Sequence, residues 1–184
     1  KDYAALDALQ EILTAHPSGY LYKTMIDSQK AASVYAYQPL VRDASFMYFG
    51  LEVPADKDIK ATETEFRKEL DKVATIKYTE QDVARAKAKI LKQIENIKNN
   101  TIGSAINLTE IVGAGSYKLG MLYRDNIEKL TVADVQKVAD KYFKVNNRTV
   151  GVFIRTKDEV RVKNVEYSNE QIASLTDNYK GKAL

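Results

Sequence analysis

The sequence predicts an α+β fold, a mainly antiparallel sheet with helices packed on one face. Three observations predict it. Apolar residues recur at helical spacing through several long stretches, most clearly 80–99. Two period-2 runs stand side by side within residues 32–53 and read as a β-hairpin. The elements then follow the order α-α-β-β-α-α-α-α-β, which lacks the regular strand–helix alternation of a parallel βαβ fold.

The first helix covers residues 2–15, where Ala5, Leu6, Leu9, Ile12 and Leu13 share one face. His16-Pro17-Ser18-Gly19 ends it, because a proline disfavours helix at the residue before it. A short helix follows at 20–28, with Leu21 and Met25 one turn apart. In the hairpin, Ser33, Tyr35 and Tyr37 alternate with Ala32, Val34 and Ala36. Phe46, Tyr48 and Gly50 then alternate with Met47, Phe49 and Leu51. Pro39–Asp43 supplies the connecting loop, and Pro54 closes the second strand.

Residues 58–76 place Ile59, Phe66, Leu70 and Val73 on one helical face. Residues 80–99 do the same with Val83, Ala86, Ile90, Ile94 and Ile97. Thr79-Glu80-Gln81-Asp82 opens that helix as a capping box, and its two acids lie at the positive end of the helix dipole. A helix over 102–118 is expected despite Gly113 and Gly115. Thr131-Val132-Ala133-Asp134 is a second capping signal, before Val135, Val138, Ala139 and Tyr142. Asn146-Asn147 makes a turn, and Arg148–Arg155 reads as a strand. Residues 1–156 are therefore expected to form one domain. Residues 157–184 read as a polar tail or the start of an interdomain linker, with a short strand at 160–165 and a weak helix at 169–176. Three strands make a thin sheet, which implies a further strand upstream of Lys1.

Composition narrows the function classes. The chain has 184 residues, enough for one domain with an appendage. A formal charge of +3 is too small to argue for nucleic acid, whose binding needs clustered positive charge. The absence of cysteine removes disulfides, cysteine zinc sites and thiol nucleophiles. A single histidine rules out a multi-histidine zinc site within this chain. No apolar run approaches the roughly 20 residues of a membrane helix. The chain starts at Lys1 with no visible signal peptide, so it reads as a piece of something longer.

Few residues suggest chemistry. His16 lies at a helix end and reads as a group bonding the last carbonyls rather than as a general base, which would need a nucleophile and an orienting partner. Gly113, Gly115 and Gly120 lack the G-x-G-x-x-G spacing of a nucleotide cradle. Arg85, Lys87, Lys89, Lys92 and Lys98 make a basic stretch, interrupted by Gln93 and Glu95, that reads as a solvated helix surface. Tyr35, Tyr37 and Tyr48 are the candidate binding residues of the hairpin, although tyrosine also suits strands for packing alone.

Several stretches resemble the pitrilysin/insulinase family of zinc peptidases, which includes mitochondrial processing peptidase. Asp2–Leu13 resembles the opening helix of a domain of that family, and Gly19-Tyr20-Leu21-Tyr22-Lys23-Thr24-Met25-Ile26 its following helix. Gln29–Ala36 is similar to the segment that leads into its hairpin. Tyr78–Lys87 and Ile127–Ala139 resemble two of its helix openings, and Arg148-Thr149-Val150-Gly151-Val152 its closing strand. The motifs occur in the family's order and cover about residues 2–155.

The resemblance implies a processing-peptidase-like metallohydrolase domain. Family members pair such domains into two halves around a peptide, and one domain carries H-x-x-E-H, whose histidines bind zinc and whose glutamate acts as base. This chain has no such motif. The positions matching the substrate-reaching Arg and Tyr of the last domain are Ile26 and Ser33, so neither role carries over. The pattern resembles instead the second domain of bacterial members.

The implied role is non-catalytic, with zinc held by the catalytic domain of the parent protein and no cofactor in this chain. Partners would be that catalytic domain, the second half of the same protein and a peptide substrate. Bacterial relatives of this shape imply a periplasmic location. The alternative is a domain of a catalytically inactive homologue that binds peptides or serves as an assembly subunit.

Overall fold

The computed structural model describes residues 1–156 and 160–182. Residues 1–148 form one compact unit, and a second begins at Thr149. The elements of the first unit are α1 (Asp2–Thr14), a short π-helix (Tyr22–Asp27), β1 (Ser33–Tyr37), β2 (Tyr48–Glu52), α2 (Ile59–Lys72), α3 (Glu80–Lys98), α4 (Thr101–Gly113), α5 (Lys118–Glu128) and α6 (Val132–Tyr142).

Helix α1 is the centre of the core. Its Ala4, Ala5, Ala8, Leu9 and Leu13 are buried. Three alanines on one face let α3, α5 and α6 approach its axis closely, and α1 contacts all three. The same core takes Val73, Tyr78, Val83, Ala86, Ile90, Ile127, Leu130, Val135, Val138 and Ala139. Polar contacts fix the helix ends. Lys141 Nζ and Tyr142 Oη donate to Asp2 Oδ2 at 2.8 and 3.0 Å, tying the start of α1 to the end of α6. Those donors hold the Asp2 carboxyl below its usual range, and Asp2 in turn raises the Lys141 ammonium.

Both expected capping boxes form. Asp82 N donates to Thr79 Oγ1 at 3.2 Å, and Thr79 N donates back to Asp82 Oδ2 at 3.0 Å. The Thr131–Asp134 box at α6 has the same reciprocal pattern. The Asn146-Asn147 turn also forms, with Asn147 N donating to Lys144 O at 2.9 Å.

The molecule departs from the expected sheet. Among the described residues the only sheet is two-stranded, β1 against β2, and the structure is mostly helical. The hairpin is antiparallel as expected, but a mainly sheet-built fold is not what the chain adopts. Residues 148–156 form no strand, and neither do 160–165. A strand exists only where its backbone N–H and C=O groups find a neighbouring strand. The hairpin supplies its own neighbour across the loop at 38–47. The run from Val150 to Ile154 has the composition of a strand without such a partner.

Helix 102–118 is also corrected. It stops at Gly113, where Gly115 takes a φ of +133° that other residues rarely adopt, and α5 starts anew at Lys118. The signal for α5 is Leu119, Tyr123 and Ile127 at i, i+4 and i+8, ending in the fully buried Ile127.

The second unit contains α7 (Asn169–Thr176), the helix expected at 169–176, opened by a Ser168–Gln171 capping box. The parts of the predicted tail that fall on 157–159 and 183–184 lie outside the described residues.

Candidate functional site

The hairpin sorts its side chains by the two-residue period of a strand. The register pairs Ser33 with Glu52, Tyr35 with Gly50 and Tyr37 with Tyr48. Val34 and Phe49 point inward and pack on the core, with the Phe49 ring 5.7 Å from that of Phe143. The other face gathers the three tyrosines singled out in the sequence. Tyr35, Tyr37 and Tyr48 remain 44, 59 and 47% exposed there. The rings of Tyr35 and Tyr48 lie 5.9 Å apart, and the neighbouring Tyr48 raises the Tyr35 phenol above its usual range.

Gly50 is what allows this arrangement. A Cβ added there would sit 2.3 Å from Tyr35 Cζ, so the Tyr35 ring occupies the space a side chain would fill. The ring thereby covers the backbone of β2.

Further aromatic residues on α1 and α5 had no signal in the hairpin pattern. Tyr3 and Tyr123 meet edge to face with ring centres 5.7 Å apart. Tyr123 Oη donates to Asp7 Oδ2. Burial raises the Asp7 carboxyl, and the bond from Tyr123 opposes that shift. Burial, with Asp7, Tyr37 and Glu110 adding to it, pushes the Tyr3 phenol up to about 12. Sequence spacing shows Tyr3 and Asp7 one turn apart on α1, but not that Tyr123 closes on them from a position 116 residues away.

Tyrosines offer a broad apolar face with a polar tip. Two acids of α1 already have partners. Asp7 accepts from Tyr123, and Glu11 pairs with Lys89 at 2.6 Å. Among the described residues no group of three His, Cys, Asp or Glu is placed to hold a metal ion. With one histidine and no cysteine, the chain's donor set does not fit a peptidase zinc.

The other sequence candidates have structural roles. His16 packs edge-on against Tyr22 with ring centres 4.5 Å apart, instead of the expected bonding to helix-end carbonyls. The basic stretch on α3 is largely spent on neighbours. Lys87 Nζ donates to the Glu128 and Leu130 carbonyls at 2.6 and 3.4 Å, at and just past the C-terminal end of α5. Lys98 pairs with Glu95 at 2.6 Å, and Arg85 pairs with Asp82. Gly113 and Gly115 lie at the break between α4 and α5, and Gly120 faces Ile111.

Residues 1–90 match the family described as the peptidase M16 inactive domain. The fold is similar to that of the inactive peptidase domain of a putative zinc protease from Bordetella parapertussis. That likeness has 25% identity and a TM-score of 0.79 over 87% of this chain and 86% of that one. A putative zinc protease from Bordetella pertussis Tohama I is similar at 24% identity and a TM-score of 0.77, over 84% of this chain and 86% of that one. A protease from Helicobacter pylori shares the fold at 21% identity and a TM-score of 0.71, over 78% of this chain but 35% of its own length. No curated protein matches the sequence significantly. These findings bear out the resemblance carried by the motifs, that of a non-catalytic domain of the zinc-peptidase family.

Proposed function

We propose that this chain, whose first 90 residues carry the inactive-domain signature of the M16 peptidases, serves as the non-catalytic domain of a zinc-dependent endopeptidase. In that role it packs against the catalytic domain of the same protein and walls part of the chamber that holds an extended peptide. Tyr35, Tyr37 and Tyr48 contact the peptide, and zinc with its ligands belongs to the catalytic domain.

The observation that carries the reading is the pairing of an inactive-domain signature with three exposed tyrosines on one hairpin face. Such rings stack on side chains of any sequence, which suits a peptidase acting on unfolded peptides. The outer edges of a two-stranded sheet also leave backbone groups for main-chain pairing with an extended partner.

Deleting residues 1–148 from the parent peptidase tests the assignment. Hydrolysis of an unfolded peptide is expected to fall at unchanged zinc content, and full activity without the domain would refute it. Replacing Tyr35, Tyr37 and Tyr48 together by serine in the parent is expected to raise KM about tenfold, worth ~1.4 kcal/mol of binding. An unchanged KM removes the tyrosines from the site while leaving the domain assignment standing.

A further inference from the structure

The outer face of the hairpin carries one charge, and that charge has no partner. Along β2 this face displays Tyr48, Gly50 and Glu52, and across from them on β1 stand Tyr37, Tyr35 and Ser33. Glu52 is the only charged residue on either strand. It is exposed, and among the described residues no cation pairs with it and no donor reaches its carboxylate. The Ser33 hydroxyl opposite makes no hydrogen bond, so it does not hold Glu52 either.

Gly50 decides what stands beside that carboxylate. With no Cβ at position 50, the phenol end of Tyr35 lies over the β2 backbone there. Successive side chains on one face of a strand are roughly 7 Å apart. The Tyr35 ring therefore stands between Tyr48 on one side and Glu52 on the other. The rings of Tyr35 and Tyr48 are inclined at 37° to each other, and both stay partly open to solvent. Glu52 is near enough to add to the rise of the Tyr35 phenol.

We infer that this face binds a basic side chain, lysine or arginine, of the peptide, with Tyr35 and Tyr48 as its aromatic walls and Glu52 as its counter-ion. The inference rests on the proposed peptide contact and adds the class of residue held there. A cation within about 6 Å of a ring centre is drawn to the negative face of the ring. The methylene stem of lysine or arginine packs along the ring while the charged head stays hydrated beside Glu52. An acidic side chain at the same place meets the carboxylate and the negative ring faces together. Rings alone accept many side chains, so the carboxylate supplies the discrimination. The formal charge of the whole chain is +3, which by itself favours acidic peptides. A preference for basic ones is therefore a local property of the hairpin.

Four fluorescein-labelled unstructured peptides that differ at one central residue, lysine, arginine, norleucine or glutamate, test this in anisotropy titrations of the 184-residue chain. The better of the two basic peptides should bind at least about fivefold more tightly than the norleucine peptide, and the glutamate peptide should bind most weakly. Glu52→Gln should bring that ratio below about twofold, with the norleucine affinity and the far-UV circular dichroism unchanged. Glu80→Gln, at an exposed acid that opens α3, should leave the ratio in place. A basic preference that survives Glu52→Gln overturns the inference. Equal binding of all four peptides overturns it too. If replacing Tyr35, Tyr37 and Tyr48 by serine then weakens all four, the tyrosine contact stands without a cation site. Binding of none of them overturns the inference together with the tyrosine contact.

Discussion

Gly50→Ala is expected to change sign with the residue at position 35. The added Cβ would stand 2.3 Å from Tyr35 Cζ and 2.6 Å from both Cε2 and the hydroxyl oxygen. These atoms are the far end of a side chain, so the ring swings aside and the backbone holds. The swing breaks the ring contact with Tyr48, worth roughly 0.5–1.5 kcal/mol. Alanine gains roughly 0.5–1 kcal/mol over glycine in a strand. The two effects nearly cancel, so Gly50→Ala alone should lie between neutral and about 1 kcal/mol destabilising. Once Tyr35→Ala has removed the ring, the same substitution should stabilise by roughly 0.5–1 kcal/mol. The coupling between the two sites is then about 1 kcal/mol. Urea unfolding of the four proteins measures it, read as midpoint shifts at constant m-value. Equal effects of Gly50→Ala in both backgrounds, within about 0.3 kcal/mol, would refute the claim that Tyr35 fills the space over Gly50.

Three other perturbations probe the core, a buried acid and a helix cap. Leu9→Ala should cost about 3–5 kcal/mol, because Leu9 is fully buried on the central helix and its alanine neighbours cannot reach into the cavity. Leu6→Ala, half-buried on the same helix, should cost much less in the same urea titration. Asp7→Asn keeps an acceptor for Tyr123 and removes an ionisation that burial opposes. A carboxyl raised in the folded state contributes most below its unfolded pKa of roughly 3.9 and loses that contribution as pH rises through its folded value. The asparagine variant should therefore be more stable than the parent at neutral pH, with the gain shrinking toward about pH 4. An equal gain at both pH values would contradict the burial argument. Thr131→Ala removes the acceptor of the Asp134 amide and should cost about 1 kcal/mol, while Thr131→Ser should restore most of the loss in thermal melts.

The features readable in the sequence were those set by neighbours a few residues apart. Thr79 and Asp82, and Thr131 and Asp134, form their capping boxes because a cap needs only its own first turn. The hairpin alternation placed Tyr35, Tyr37 and Tyr48 on one face because the strand period is local. The single histidine was equally plain.

Other features depended on which distant residues meet. The run Val150–Ile154 has strand composition, yet pairing decides a strand, and no local residue supplies it. Tyr123 completes the cluster with Tyr3 and Asp7 only because α5 docks beside α1, and nothing in the chain order records that. The apolar residues of α4 are visible in the sequence, which predicts only a helix over 102–118. Only the tertiary structure shows that Ser104 and Asn107 sit on the half-buried side and Ile102 and Ile106 face out. Periodicity gives the pattern around a helix axis, whereas the rotation of that pattern relative to the core is settled by the packing of α3 and α5.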